Sequence, residues 1–312
     1  MASSLQASGR SWRIFLISDA QLDLGTTQPI LCCIGQSVAT SPTQFLMERA
    51  IAATQLDWRA ITVEVALQDL PAAVAGMTAM KFMAVRFFPW LENSALKQIG
   101  HSTELLNFVG GVTSAKRSID GWQLWHHWGE AVLHWVQQQA DLSHTLCWLH
   151  GDSVRCRSFL VALQQQAARQ ASLPSAVLWS QPADAIPSSL YPGQAEEPQL
   201  PLQIVSPDGP GEVPLGELLN SAAVKHDAST LLIIGDELPC SQFELSAEIS
   251  RCLVAGGNAA VESAVECRLP QLTLLGEAEQ TVLCEAYDFQ RWTGHHIHPA
   301  ILQDALDEYC DF

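Results

Sequence analysis

Apolar residues arrive along this chain in short runs closed by glycine or proline, and between the runs they recur three and four positions apart. Pro29 to Ile34 is the first clear run, and Gly35 closes it, which predicts a buried strand. Ser41 followed by Pro42 is a helix start, because a serine side chain caps free amides and proline suits the first helical position. Phe45, Leu46, Ala50 and Ala53 then share one predicted face, with Gln44, Glu48 and Gln55 opposite. Trp58 to Val65 predicts a second strand, Leu70, Val74 and Met77 a second helix, and Lys81 to Phe88 a third strand. Alternation of strand and helix predicts a parallel α/β layer.

The same alternation returns further on. Thr145 to His150 predicts a strand, Gly151 to Arg157 a turn into a helix, and Ala176 to Trp179 the following strand, which together make a βαβ unit. Thr230 to Gly235 is a further core strand, and Phe243 to Ala255 is expected to be a helix ended by Gly256-Gly257. Eight prolines between Pro182 and Pro214 mark a loop-rich insertion with short extended pieces such as Leu202 to Val205. Trp122, Trp125, Trp128 and Trp135 fall at helical spacing and predict a packing stripe on a helix over Gln123 to Gln139, in preference to a ligand-stacking surface. Trp12 to Ser18 predicts an additional strand without chemistry of its own.

Composition narrows the function classes. The chain has 312 residues, enough for two domains with separate cores. No run of eighteen apolar residues occurs, so no membrane span is expected, and no secretory leader pattern is found near the start. Lys and Arg number 16 against 33 Asp and Glu, a net charge of −17 that repels phosphate backbones and excludes nucleic acid as a partner. Nine cysteines, none in a C-x-x-C pair, read as small buried hydrophobes in a reducing compartment, so a cytoplasmic location is expected.

Gly35-Gln-Ser-Val-Ala-Thr-Ser-Pro-Thr43 resembles the Gly-Asn-Pro-Val-Ala-His-Ser-x-Ser loop of the shikimate dehydrogenase family, and Asp69 to Val74 resembles the helix after its second strand. Phe289-Gln-Arg-Trp-Thr-Gly294 resembles the Phe-x-x-Trp-x-Gly of its last helices. The resemblance implies an α/β protein of two three-layer domains. A substrate-binding-like domain of residues 11–125 is completed by 285–312, whose helices return to it. A Rossmann-like domain of residues 126–284 carries the insertion at 182–214.

The departures from the family carry the functional expectation. Its third strand runs into Asn-Val-Thr-x-Pro-x-Lys, whose Asn and Thr hold substrate and whose Lys assists proton loss as hydride departs. The ungapped match puts Arg86, Phe88 and Glu92 at those positions, and a one-residue slide puts Leu91 at the Lys. Lys97, further along, is the nearest substitute. Asn107 matches an Asn that contacts substrate, or is only a turn residue. Trp125-His-His-Trp-Gly-Glu130 meets the family's Gly-x-Asn-Thr-Asp-Gly, so Gly129 stands at the Asp that pairs with the Lys and Glu130 follows. Glu92 and Glu130 facing each other would form a new acid/base pair. Cys284 stands at a substrate-contacting Gln, with Glu285 adjacent.

Only Gly151 remains of the family's Gly-x-Gly-Gly nucleotide loop. Ser153 adds a side chain where the backbone approaches the pyrophosphate, Asp152 adds a repelling carboxylate, and Arg155 and Arg157 partly offset it. Ser180-Gln-Pro182 stands where the family's Arg reads the NADP phosphate.

The leading expectation is a shikimate dehydrogenase-like protein with degenerate catalytic and NADP sites and no cofactor. It binds a small carboxylate or hydroxy acid through Ser41, Thr43, Arg86 and Asn107, with a helix cap as the plain alternative for Ser41. Second stands an active NADP-dependent oxidoreductase on shikimate, quinate or a related hydroxy acid, using Glu92, Lys97 or Glu130 with Gly151, Ser153, Arg155 and Arg157 at the cofactor. A structural or interaction module, and assembly as a homodimer, are the remaining alternatives. His295, His296 and His298 cluster before Pro299, but adjacent side chains diverge, so no metal site is expected.

Overall fold

The structure is a computed structural model that describes residues 28–36, 38–99, 102–169, 171–180, 200–205, 215–236, 245–257, 264 and 269–311. The predicted strand at Trp12 to Ser18 lies outside these residues, as does most of the proline-rich insertion.

Two sheets organise the chain. In the first, β1 (Ile30–Gly35) lies between β2 (Arg59–Glu64) and β3 (Ala84–Phe87), parallel to both. β4 (Ser114–Ser118) joins β3 antiparallel, and β5 (Gly121–Trp125) forms a hairpin with β4, giving the order β2-β1-β3-β4-β5. Side chains alternate across the sheet. Leu31 and Ala84 enter a core with α1 (Thr43–Thr54), α8 (Glu277–Thr293) and α9 (Pro299–Cys310). Cys32, Ile34, Val85 and Phe87 pack on the opposite face, with residues of α2 (Leu70–Ala79) and α3 (Pro89–Gln98). The carboxyl-terminal helices therefore do return to the first sheet.

In the second sheet β6 (Thr145–His150), β7 (Ala176–Ser180), β8 (Leu202–Ile204), β9 (Thr230–Gly235), β10 (Arg251–Gly256) and β11 (Leu272–Leu275) run parallel in the order β11-β10-β9-β6-β7-β8. Its central strands are buried on both faces. Cys147, Leu149, Leu232 and Ile234 face α5 (Trp128–Gln139) and α6 (Val154–Ala168), while Leu146, Trp148, Leu231 and Ile233 face α7 (Leu215–Lys225). Such strands read as uninterrupted apolar runs. Helix α8 serves both halves: Val282, Phe289 and Trp292 join the core of the first sheet and Cys284 that of the second.

Several expectations need correction. Residues 251–256 form strand β10 and not the end of a helix, because Cys252 to Ala255 are buried between β9 and β11 and pair with both. Residues 121–125 form β5, and the helix starts at Trp128: alternation puts Trp122 and Leu124 on one face and Trp125 on the other, so period two wins over the tryptophan spacing. In α1 the buried face is Leu46, Met47, Ala50 and Ile51, and Ala53 is exposed. Pro42 occupies the cap position itself, and the Thr43 amide donates to Ser41 Oγ at 3.3 Å. Among the described residues no helix is long and apolar enough to cross a membrane.

Candidate functional site

The candidate site begins with strand register. Arg86 follows Ala84 by two residues and so projects from the same face of β3, toward α8, with Cys33 of β1 as its register partner. On α8, Glu285 and Asp288 are three residues apart, which places both on the side turned to the sheet. Both carboxyls are buried, and Arg86 meets both: its Nε lies 3.6 Å from Glu285 Oε1 and its Nη1 3.7 Å from Asp288 Oδ2.

Asp288 is held from several sides. His127 Nδ1 lies 2.6 Å and Trp125 Nε1 2.9 Å from Oδ1, and the Ser114 hydroxyl donates to Oδ2. Arg86 Nη1 is 3.2 Å from His127 Nε2. A guanidinium only donates, so Nε2 accepts and the His127 hydrogen sits on Nδ1, pointing at Asp288. The Thr113 hydroxyl accepts the His127 backbone amide at 3.2 Å. Burial lowers the imidazole pKa, more than Asp288 raises it, so the ring stays neutral. Burial pushes the Asp288 carboxyl upward, but His127, Arg86 and Ser114 outweigh it and hold the group below its ordinary value. The result is an ionised Asp288 beside a neutral His127.

Glu285 is treated differently by the same surroundings. Its Oε1 accepts from the Thr43 hydroxyl at 3.2 Å, and Thr43 Oγ1 in turn accepts from Ser41 Oγ at 3.1 Å. Its Oε2 is buried and has no hydrogen-bond partner among the described residues. Burial raises this carboxyl to about 7 against the pull of Arg86, and Asp288 adds to the rise. Glu92, in the first turn of α3, is likewise raised by burial to about 7, with Arg86 and Arg155 opposing.

In the second sheet, the turn after β6 leads into α6 through Gly151, whose φ of +83° suits a residue without a side chain. Ser153 caps α6 by accepting the Cys156 amide at 3.3 Å. Arg157 binds both oxygens of Asp152, its Nε 2.5 Å from Oδ1, and Nη1 donates to the Phe108 carbonyl at 3.3 Å. Arg155 Nη1 donates to Asp236 Oδ1 at 2.6 Å, beyond the end of β9. Both arginines at this helix start are thus engaged with side chains of the chain itself.

No family model and no curated protein sequence matches the chain. Solved structures do. The ligand-free 5-ketofructose reductase of Gluconobacter sp. strain CHM43 is 14% identical with a TM-score of 0.63, over 91% of this chain and 99% of that one. Shikimate dehydrogenase from Aquifex aeolicus is 12% identical with a TM-score of 0.60, over 91% and 99%. The shikimate 5-dehydrogenase from Thermus thermophilus, solved with NADP(H) and shikimate, is 13% identical with a TM-score of 0.57, over 90% and 100%. The chain has the two-domain shikimate dehydrogenase fold.

Within the shikimate dehydrogenase fold, the structure brings Ser41, Thr43 and Arg86 together around Glu285. Asn107 is exposed on the short helix α4 (Glu104–Val109). Lys97 is exposed in the last turn of α3. Glu130 is engaged by α8: it accepts from the Tyr287 hydroxyl and lies 3.4 Å from Arg291 Nη1. Gly129 has a steric role, since a Cβ there would lie 2.1 Å from the Ser158 carbonyl oxygen where α5 crosses α6. His298 caps α9 by accepting the Ala300 amide at 3.2 Å, and among the described residues no group of three His, Cys, Asp or Glu is placed to hold a metal ion.

His127, Ser114, Trp125 and Asp288 carry no site assignment in the sequence. The legible signal was two acids, Glu285 and Asp288, on the helix face that also presents Val282, Phe289 and Trp292. Acids on an apolar face are rarely left without partners.

Proposed function

We propose that this shikimate dehydrogenase-fold protein holds a small hydroxy acid at Ser41, Thr43 and Arg86 and does not carry out nicotinamide-dependent oxidation. The observation that carries this is the engagement of the α6 amino end by its own residues. A dinucleotide pyrophosphate needs free amides, a close backbone approach and unopposed positive charge there. Asp152 puts a carboxylate at that place and takes Arg157, Ser153 takes an amide, and Asp236 takes Arg155. These residues do not fit the group. The first sheet supports the same view, because Glu92 stands where the resemblance puts the lysine and Gly129 has no space for a side chain.

Retention of Ser41 and Thr43 beside Arg86 supports a ligand of the shikimate class, a cyclic or short hydroxy acid. Six of the seven described cysteines are buried and all are free, which agrees with a cytoplasmic place. The test is calorimetric titration with shikimate and with NADPH, alone and together. Binding of the first without the second is expected.

A working oxidoreductase is the second reading, and Glu92 is the observation in its favour: a carboxyl that titrates near neutrality can move a proton. NADP-dependent turnover of shikimate, lost in Glu92→Gln, would establish it.

A further inference from the structure

Glu285 is a buried acid that neither the resemblance nor the proposed ligand contacts assign. It faces Arg86 on β3, Cys33 on β1 and Thr43 on α1, with Asp288 and Cys284 on its own helix. His127, from the segment between β5 and α5, reaches the same cluster through Arg86 and Asp288. Glu92 on α3 acts on the same guanidinium.

The charges can be counted. Arg86 brings one positive charge, Asp288 one negative charge, His127 is neutral, and Glu92, whenever it ionises, only adds to the negative side. An ionised Glu285 would leave the buried cluster with an excess negative charge, and an entering carboxylate would add another. Uncompensated charge away from water costs several kcal/mol per ion. A proton on Glu285 removes the excess. The geometry leaves one place for it, since Oε1 already accepts from Thr43 while Oε2 is buried with no partner among the described residues.

We propose that Glu285 meets the ligand as a neutral acid, its Oε2 hydroxyl donating to an acceptor oxygen of a hydroxy-acid anion, so that ligand and one proton bind together. This rests on the ligand site of the preceding section. The proton comes from the solvent buffer and stays on Oε2, with no other bond made or broken. The rise of this carboxyl by burial acts in the same direction. Neutral ligands lacking the carboxylate add no charge and do not draw a proton in this way.

Shikimate is the probe, titrated calorimetrically from pH 6 to 8.5 in phosphate and in Tris, whose ionisation enthalpies differ. Proton uptake near zero at pH 6 and approaching one per shikimate at the alkaline end is expected, with affinity falling about tenfold per pH unit there. Glu285→Gln, which keeps a donor at this place, is expected to bind shikimate without that uptake and with a flattened profile. Shikimate binding with no proton uptake in the natural protein, or uptake unchanged in Glu285→Gln, overturns the inference while leaving the ligand site standing. No binding by either protein overturns the ligand site and the inference with it. The part of the protonated-carboxylic-acid infrared band at pH 6 that Glu285→Gln loses, Glu92 contributing equally to both proteins, separately reports whether Oε2 carries the proton in the free protein.

Discussion

Replacing Arg86 by methionine should destabilise the protein by an amount that depends on pH. At pH 8 the guanidinium faces two ionised carboxyls directly, Asp288 and Glu285, the latter having lost its proton above about 7, and Glu92, ionised over the same range, adds to the negative side. Arg86→Met removes the charge that favours the ionised form, so in the variant Glu285 keeps its proton at pH 8, and the penalty there exceeds that at low pH by about 1.4 kcal/mol for each pH unit above 7. At pH 5.5 Glu285 is protonated in both proteins, and the only buried charge left behind is Asp288. That carboxylate keeps its donors from His127 at 2.6 Å, Trp125 at 2.9 Å and Ser114. The cost there should fall to about 1–2 kcal/mol, near the loss of one charged hydrogen bond. Urea unfolding of both proteins at the two pH values, followed by circular dichroism, measures the difference directly. A penalty equal at both pH values, or below about 1 kcal/mol at pH 8, would refute the charge count.

Three further outcomes follow from the same geometry. Trp125→Phe removes a donor to Asp288 while keeping the ring in the core, and chemical denaturation should show a loss of about 1.5–3 kcal/mol. Gly129→Ala forces a methyl to within 2.1 Å of the Ser158 carbonyl oxygen, so α5 and α6 must part; a loss of about 1–3 kcal/mol or more in the same assay is expected, and a neutral effect would show that the contact yields. The Glu285 carboxyl rises from its ordinary 4.5 to about 7, so the folded protein holds a proton that the unfolded chain has released. Stability should therefore fall as pH rises from 4.5 to 7, by roughly 3 kcal/mol from this group at 1.36 kcal/mol per unit. Glu285→Gln should lose that part of the slope.

The second sheet was the most legible part of the fold. Its strands are buried on both faces, so Thr145 to His150 and Thr230 to Gly235 appear as unbroken apolar runs. β10 belongs to the same class, but its run ends in Gly256-Gly257, and a glycine pair after apolar residues is also how a helix stops. Periodicity alone does not separate those cases. The hairpin of β4 and β5 was hidden by tryptophans whose spacing suits a helix. Ser41, Thr43 and Arg86, which the structure brings together around Glu285, were singled out through the resemblance. Their partners were not, because Thr43 meets Glu285 across 242 positions and His127 meets Asp288 across 161, and no local pattern encodes such pairings.

Glu285 and Asp288 also show how one scaffold sets two carboxyls apart. Asp288 gathers donors on both oxygens and stays ionised, while Glu285 has one oxygen served and one bare and keeps its proton to higher pH. A family pattern read position by position would miss this, since neither residue stands at the substrate-contacting Gln.

The most direct test of the account is fluorescence titration of the purified protein with NADPH in the presence of saturating shikimate. Self-paired arginines and a carboxylate at the α6 start predict no saturable binding below the millimolar range and no coenzyme reduction when NADP+ replaces NADPH. Micromolar NADPH affinity together with NADP+ reduction by shikimate would contradict it.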